Sequence, residues 1–176
     1  KYRGSLTVLG KDPAKEKVGT MAKDVGLVFQ DFESQLFSTN VRLEIMFGPE
    51  NFNFPVARME ELLNKILRVA HLEGLQDRQP ATLSGGQKQR LAIGSVLATE
   101  PRILCMDEPT TDLDPVGKKS IFEMSGQLRR DEALTLIIIE HETEEALQAD
   151  RLIIMDQGKI VRDGRPDEIL KEVDFI

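Results

Sequence analysis

The sequence predicts an α/β fold with a mostly parallel sheet, because three short apolar runs alternate with helical segments and each run ends in polar residues. The runs cover residues 25–29, 103–106 and 134–139. Continuous apolar runs of this length are typical of parallel strands that are buried on both faces. Open parallel sheets bind ligands beyond the carboxyl ends of their strands, so we expect a functional site at that edge.

The first part of the chain is predicted to contain one strand, a turn and a polar connection. Residues 4–9 alternate between apolar and polar enough to predict a strand, and residues 10–13 carry turn-forming glycine and proline. Residues 11–23 are polar, which favours a loop with some helix.

Residues 40–80 are predicted to be helical. A short helix over 40–47 is expected to break at Gly48-Pro49, and Pro55 is expected to precede a longer helix. Apolar residues in that helix recur at steps of three and four, which predicts a face packed in the core. These residues are Val56, Met59, Leu63, Ile66, Leu67 and Ala70. We interpret His71, at the end of this helix, as a favourable cation near a helix C-terminus.

A helix start is predicted at Ser84. Ser84 and Gln87 have the spacing of a capping box, and Gly85 and Gly86 leave the backbone N–H groups between them unobstructed. An anion could sit against such a helix N-terminus. Taken on their own, these four residues favour an ordinary helix cap without a ligand.

Two adjacent carboxylates follow the second apolar run. Glu100-Pro101 ends the preceding helix, and Asp107 and Glu108 then stand where the strand should end. Carboxylates in this position are suited to holding Mg²⁺ and polarising water. Asp114 followed by proline predicts the N-cap of a further helix.

The third apolar run leads to Glu140 and His141. The helix before it is expected to run to about Arg130, with Ile121, Met124 and Leu128 facing inward. A strand–helix–strand unit places its strands parallel, so we expect His141 to share a cleft with Glu108. A structural role for a single histidine at a strand end remains the alternative.

The C-terminal part of the chain predicts a hairpin and a last helix. Residues 151–156 and 159–162 flank Gln157-Gly158, which is a two-residue hairpin signal. Gly164-Arg165-Pro166 is expected to open a helix over residues 167–173.

These motifs together resemble the ATP-binding subunit of an ABC transporter. LSGGQ at 83–87, ILCMDEP at 103–109 and DLD at 112–114 match the signature motif, the Walker B strand with its glutamate, and the D-loop, in the usual order. VFQDFESQLFSTNV at 28–41 resembles the Q-loop, and its QLF at 35–37 is most like the cobalt and energy-coupling factor importers. Phe32 stands where that group commonly has proline.

The resemblance implies roles for the residues of the Walker B strand and of the loops beside it. Asp107 would hold Mg²⁺ through water, and Glu108 would act as general base or orient the water. Gln30 would meet the metal and the attacking water, and His141 would contact the γ-phosphate. Glu140 replaces the threonine or serine usual before that histidine.

The resemblance also implies a dimer and membrane partners. Ser84, Gly85 and Gly86 would bind the γ-phosphate of ATP held by a second subunit in a head-to-tail homodimer or heterodimer, with Gln87 beside them. Asp114 is a further expected nucleotide-binding residue. ATP and Mg²⁺ are the implied cofactors, and transmembrane transporter subunits are the implied partners. The chain would then lie on the cytoplasmic face of the membrane and drive transport of a small solute, such as a metal ion or vitamin.

The resemblance further implies an ABC ATPase fold of the P-loop NTPase type. It has a mostly parallel core sheet, a helical subdomain at about 40–95 and a small antiparallel β part, all within one domain over 1–176.

The phosphate-binding loop, with its strand and helix, is missing from this sequence. The Gly-Lys pairs at 10–11, 117–118 and 158–159 are not followed by serine or threonine. We expect the loop to belong to a preceding segment that was truncated or omitted. A cut or rearranged protein is the alternative, and either would expose apolar surface on residues 25–29 and 103–106.

Composition excludes some function classes. Lys and Arg number 23 against 30 Asp and Glu, for a net charge of −7, and the basic residues are scattered. Nucleic acid is therefore not an expected partner. Cys105 is the one cysteine, so no internal disulfide can form. A soluble ABC ATPase and a catalytically inactive fragment remain alternatives to a transporter ATPase.

Overall fold

A computed structural model of the chain describes residues 4–111, 113–131, 134–141 and 146–170. The chain divides into two compact units, Lys1–Ile139 and Glu140–Ile176. The first unit contains a parallel sheet and its helices, and the second contains a hairpin and a short helix. The predicted α/β class, with a parallel core sheet, helices and a small antiparallel part, is confirmed.

The sheet of the first unit has the strand order β1-β2-β3. Its strands are β1 (Val25–Val28), β2 (Ile103–Asp107) and β3 (Thr135–Ile139). Both pairings are parallel, with Val28 opposite Met106 and Met106 opposite Ile138. All three carboxyl ends therefore lie at the same edge, as the sequence predicts.

The two faces of this sheet are not equally covered. Val28 and Leu104 are fully inaccessible, whereas Leu27 is 45% exposed and Ile137 is 48% exposed. The prediction of strands buried on both faces is therefore wrong for the part of the chain that the structure describes, because the described helices cover only the face of Val28 and Leu104. The predicted apolar exposure is present at Leu27 and Phe29.

The first residues form a turn rather than the predicted strand. Between positions 4 and 9, Val8 alone pairs, through an isolated bridge to Lys11. Leu9 and Gly10, between the bridged residues, have positive φ angles of 51° and 79°. This tight reversal pairs the segment with itself, so it does not form a strand of the sheet. The predicted short helix in the polar region is confirmed as α1 (Val18–Met21).

Helix α2 (Val41–Asn51) continues through Gly48-Pro49, so the predicted break is wrong. Asn40 caps the helix by accepting from the Leu43 N–H at 2.8 Å. A Cβ atom on Gly48 would lie 2.4 Å from Thr99 Cγ2, so the glycine permits close packing against the end of the later helix α4 (Gly85–Leu97). The helix continues for two residues beyond Pro49, although proline has no N–H to donate to the carbonyl four residues earlier.

Helix α3 (Val56–Val69) packs in the core through Leu62, Leu63, Ile66 and Leu67. The predicted face is thus confirmed except at its start, where Val56 is 69% exposed. His71 directly follows the C-cap residue of α3. Its φ angle of 51° places its backbone in the left-handed region that is common at helix ends.

Helices α4 and α5 (Pro115–Asp131) follow the predicted boundaries closely. Glu100, with a φ of 55°, and Pro101 end the α4 region before β2 begins. Ile121, Met124 and Leu128 of α5 are buried as predicted.

The second unit has the predicted hairpin of β4 (Leu152–Asp156) and β5 (Lys159–Gly164). Gln157 and Gly158 both have positive φ angles, 47° and 75°, as a type I′ turn requires. Arg151 forms a bidentate ion pair with Asp163, which lowers the pKa of that carboxyl. Helix α6 (Pro166–Ile169) begins where predicted, and its predicted end near residue 173 lies outside the described residues.

The close contact between β1 and α4 predicts the effect of a single methyl group. A Cβ atom on buried Gly26 would lie 2.3 Å from Val96 Cγ1 and 3.3 Å from Pro101 Cγ. Since valine side chains are stiff, we expect Gly26→Ala to lower the free energy of unfolding by about 1–3 kcal/mol. Urea unfolding measures this value.

Gly19→Ala is the matched control, because no atom lies within 4 Å of a Cβ at that exposed helical position. We expect it to be neutral or to stabilise by at most about 1 kcal/mol. Equal destabilisation by both substitutions would contradict the packing explanation.

Candidate functional site

The carboxyl edge of the sheet brings together residues that are far apart in the sequence. Asp107 is the last residue of β2 and Glu108 follows it, while Gln30 lies two residues after the end of β1. Gln30 Nε2 donates to Glu108 Oε2 at 2.8 Å, although the two residues are 78 positions apart. The parallel pairing of β1 and β2 makes this contact possible.

Glu108 is held by its backbone as well as by its side chain. Its N–H donates to the Ile139 carbonyl oxygen at 2.9 Å, which ties it to the end of β3. Its φ angle is 45°, a left-handed conformation that is unfavourable for a residue with a Cβ. Such conformations are concentrated at functional sites. Thr111 Oγ1 donates to the same carboxylate oxygen at 3.1 Å, a contact that the sequence reasoning missed.

The residues at this edge offer donor types that Mg²⁺ accepts, two carboxylates and one carboxamide oxygen. Gln30 uses its Nε2 to bond Glu108, which leaves the carboxamide Oε1 as an acceptor for another group. Asp107 is partly exposed at the end of its strand. Carboxylate and amide oxygens are the ligands that Mg²⁺ takes from proteins, together with water and phosphate oxygens.

His141 follows β3 by two residues and is exposed. It belongs to the second compact unit, whereas Glu108 belongs to the first. The predicted cleft shared by His141 and Glu108 therefore stays a prediction.

The N-terminus of α4 has the predicted capping box. Ser84 Oγ accepts from the Gln87 N–H at 3.3 Å, and the Ser84 N–H donates to Gln87 Oε1 at 2.9 Å. Helix α4 begins at Gly85, so the N–H groups of Gly85 and Gly86 are among those that have no acceptor within the helix. The positive end of the helix dipole is at the same place.

Asp114 caps the second helix start in the same region. Its Oδ1 accepts from the Gly117 N–H at 2.6 Å, and Pro115 is the first residue of α5. The starts of α4 and α5 approach closely, because a Cβ on Gly86 would lie only 3.6 Å from Gly117 Cα. The two helix starts line an open cavity of about 610 Å³. Its lining residues are Ser84, Gly85, Gly86, Gln87, Arg90, Leu113, Asp114, Val116, Gly117 and Ser120.

Arg90 gives this cavity a positive charge that the sequence reasoning missed. Its Nε donates to the Ala70 carbonyl oxygen at 2.8 Å and its Nη1 to Ser120 Oγ at 3.1 Å. Burial lowers the pKa of the guanidinium from its ordinary value, although arginine stays charged in proteins. Arg90 lies one helical turn after Gly86, a spacing that could have indicated its position beside the helix start.

Comparison with known proteins identifies the family. Residues 1–111 match the sequence profile described as ABC transporter. The chain belongs to the ABC transporter family. One relative, from Caldanaerobacter subterraneus subsp. tengcongensis, is named as an ABC transporter ATP-binding protein. It is 62% identical over 175 residues, which is 99% of this chain and 31% of that protein.

Relatives within this ABC family include energy-coupling factor transporter ATP-binding proteins. One from the same organism is 37% identical over 99% of this chain and 63% of its own length. One from Ligilactobacillus salivarius is 39% identical over 94% of this chain and 59% of its own length.

The solved structure of CbiO1 from Clostridium perfringens, part of the ABC transporter complex CbiONQ, has a TM-score of 0.85 and 33% identity. The match covers 93% of this chain and 66% of CbiO1. The chain thus spans between about a third and two thirds of the length of the relatives described here.

The Asp114 cap predicts a measurable effect on stability. Asp114→Ala removes the acceptor for the Gly117 N–H, so we expect the free energy of unfolding to fall by about 1 kcal/mol. Asp114→Asn keeps a capping oxygen and should retain most of this stability. Equal losses in the two variants, measured by thermal or urea unfolding, would show that the charge rather than the cap is responsible.

Proposed function

We propose that this chain provides most of an ATPase site that drives an ABC transporter, with ATP and Mg²⁺ as cofactors. The observation that carries the proposal is the Gln30–Glu108 hydrogen bond at the carboxyl edge of the parallel sheet. In this proposal residues 1–176 belong to one ATPase domain, in which residues 40–95 form the helical subdomain that includes the start of α4.

The roles of the residues follow from the demands of phosphoryl transfer. This reaction depends mainly on positioning and charge stabilisation, so it needs polar groups and no covalent nucleophile. Glu108 accepts the proton of the attacking water or orients it, and Gln30 holds the Glu108 carboxylate in place. Asp107 and Gln30 Oε1 would hold Mg²⁺, which neutralises charge on phosphate oxygens when bound. His141 is proposed as a contact of the γ-phosphate.

The cavity between the starts of α4 and α5 binds a phosphate of a nucleotide carried by a second subunit. Two helix N-termini and the half-buried Arg90 guanidinium supply positive potential there. Ser84, Gly85 and Gly86 stand at the first of these helix starts, and Asp114 at the second. The proposed assembly is therefore a head-to-tail dimer of ATPase subunits with nucleotide between them.

The proposed membrane partner meets an exposed aromatic surface that follows the Gln30 loop. Phe37 is 63% exposed and Phe47 is 48% exposed, with ring centroids 4.6 Å apart in an edge-to-face arrangement. Leu43 lies in α2, as Phe47 does, and is 48% exposed. Exposed apolar groups of this size favour a protein interface. No helix among the described residues is long and apolar enough to cross a membrane.

The proposed transport substrate is a small solute, a metal ion or a vitamin. This part of the proposal is supported by the relatives named for energy-coupling factor transporters and by CbiO1 of a CbiONQ complex. The proposed location is the cytoplasmic face of the membrane, where transporter subunits hold the ATPase.

Substitution of Glu108 tests the proposed reaction. In the full-length protein, Glu108→Gln removes the proton acceptor while keeping the size of the side chain. We expect turnover of MgATP to fall by at least about 100-fold with nucleotide affinity preserved. Hydrolysis is measured as phosphate release and binding as the quenching of a fluorescent ATP analogue. Wild-type turnover in Glu108→Gln would refute the role of Glu108.

Substitution of Phe37 tests the proposed partner surface. We expect Phe37→Ser to reduce the fraction of full-length protein that sediments with membranes containing the transporter subunits. Val56→Ser is the matched control, because Val56 is 69% exposed and lies at the start of a different helix. Equal sedimentation of Phe37→Ser and wild type would contradict the assignment of this surface.

A further inference from the structure

Gln35 closes the loop that carries Gln30. Its Oε1 accepts from the Phe29 N–H at 2.9 Å, and its Nε2 donates to the Leu27 carbonyl oxygen at 3.2 Å. The side-chain amide thus bonds two backbone groups of the last residues before Gln30. Gln35 itself ends a short 3₁₀ turn over Phe32–Gln35 and is only partly exposed.

These two backbone groups lie on the free edge of β1. The Asp24 carbonyl oxygen accepts from the Ile103 N–H at 3.0 Å, so the N–H and C=O groups of even-numbered residues along this strand point toward β2. The N–H and C=O groups of alternate residues point to opposite edges, which places those of Leu27 and Phe29 on the other edge. No other described strand pairs there, because β1 is an end strand of the described sheet.

The Gln35 amide takes the place of a neighbouring strand. In a parallel ladder, one residue of the partner strand donates to the carbonyl of residue i and accepts from the N–H of residue i+2. Gln35 makes this same pair of bonds to Leu27 and Phe29. One side chain therefore extends the sheet by a single peptide-like group at the point where the chain leaves β1 toward Gln30.

The rest of the 29–35 loop is anchored at two further points. Phe32 is buried with 9% exposure, and Glu33 forms an ion pair with Lys88 of α4 at 2.9 Å. Gln30 itself is exposed and bonds Glu108 through its Nε2. Because the Gln30 side chain is exposed, the position of its backbone decides whether it reaches Glu108. The two Gln35 hydrogen bonds hold that backbone on the N-terminal side of Gln30.

We propose that Gln35 is a positioning residue that holds Gln30 within hydrogen-bond distance of Glu108 by closing the 29–35 loop onto the free edge of β1. The inference rests on the proposed ATPase function for its effect on turnover. The bonds themselves can be measured without any activity. In this proposal Gln35 does not touch the reacting atoms and acts only through Gln30.

Gln35→Leu and Gln35→Glu separate the two bonds. Leucine has a similar size and removes both, whereas glutamate keeps an acceptor for the Phe29 N–H and loses the donor to Leu27. We expect hydrogen exchange of the Phe29 amide in the full-length protein to become about tenfold faster in Gln35→Leu, as loss of one hydrogen bond implies. Gln35→Glu should retain slow exchange at Phe29.

Turnover should follow the position of Gln30. We expect kcat for MgATP to fall about tenfold in Gln35→Leu, with KM within about twofold of wild type, since positioning acts on the chemical step. Gln35→Glu should restore part of this loss. Ser34→Ala is the matched control, because it removes another side-chain hydrogen bond of the loop, from Ser34 Oγ to the Asp31 carbonyl oxygen, and should leave kcat unchanged.

A double-mutant cycle with Gln30→Ala distinguishes positioning from general destabilisation. If Gln35 acts through Gln30, adding Gln35→Leu to Gln30→Ala lowers kcat no further. Multiplicative losses would overturn the inference, as would wild-type kcat in Gln35→Leu once its Phe29 exchange has increased. Unchanged Phe29 exchange in Gln35→Leu would overturn it as well. Absent turnover in the wild-type protein would instead contradict the proposed function, and Phe29 exchange would then decide the inference.

Discussion

The parallel register of β1 and β2 is the constraint on which the site depends. Val28 lies opposite Met106, so the residues that follow each strand emerge side by side at one edge. Gln30 and Glu108 meet there at 2.8 Å, and the backbone of Glu108 is bonded to the end of β3. A shift of one residue would exchange the faces of a strand and would separate these two side chains. The chemistry proposed here therefore requires correct packing of the sheet.

Helix α4 connects this edge to the second part of the site. It packs on β1 at Gly26, where a Cβ atom would lie too close to Val96. Lys88 binds Glu33 of the 29–35 loop, and Arg90 binds the end of α3 and Ser120 of α5. The helix start that we propose for a partner's phosphate is thus joined by direct contacts to the loop that carries Gln30.

Local signals made much of the fold predictable from the sequence. The capping pair Ser84 and Gln87, the Asp114 cap and the Gln157-Gly158 turn each depend on a few adjacent residues, and all three have the predicted form. The parallel order of β2 and β3 follows from the helix between them. Residues 4–9 were predicted as a strand because alternation alone does not show whether a partner strand is present.

Contacts over long distances in the sequence were not predictable in this way. Gly48 with Pro49 predicts a helix break, whereas in the structure Gly48 allows the close approach of Thr99, far along the chain. The bonds of Arg90 to Ala70 and Ser120 likewise have no periodic signal. Gln35 was recognised only as part of a family motif, because an amide that replaces a strand leaves no pattern in the sequence.

The proposed function requires that the carboxyl edge of this sheet hold a metal–nucleotide complex at Gln30. Mn²⁺ in place of Mg²⁺, added with ATP to the full-length protein, broadens the NMR signals of nearby groups. We expect strong broadening of the Gln30 side-chain amide signal, with the side-chain amide of Asn51, in the last turn of α2 beside the C-terminal end of α4, as the reference. A Gln30 signal that stays sharp at saturating Mn²⁺ and ATP would contradict the proposed metal–nucleotide site.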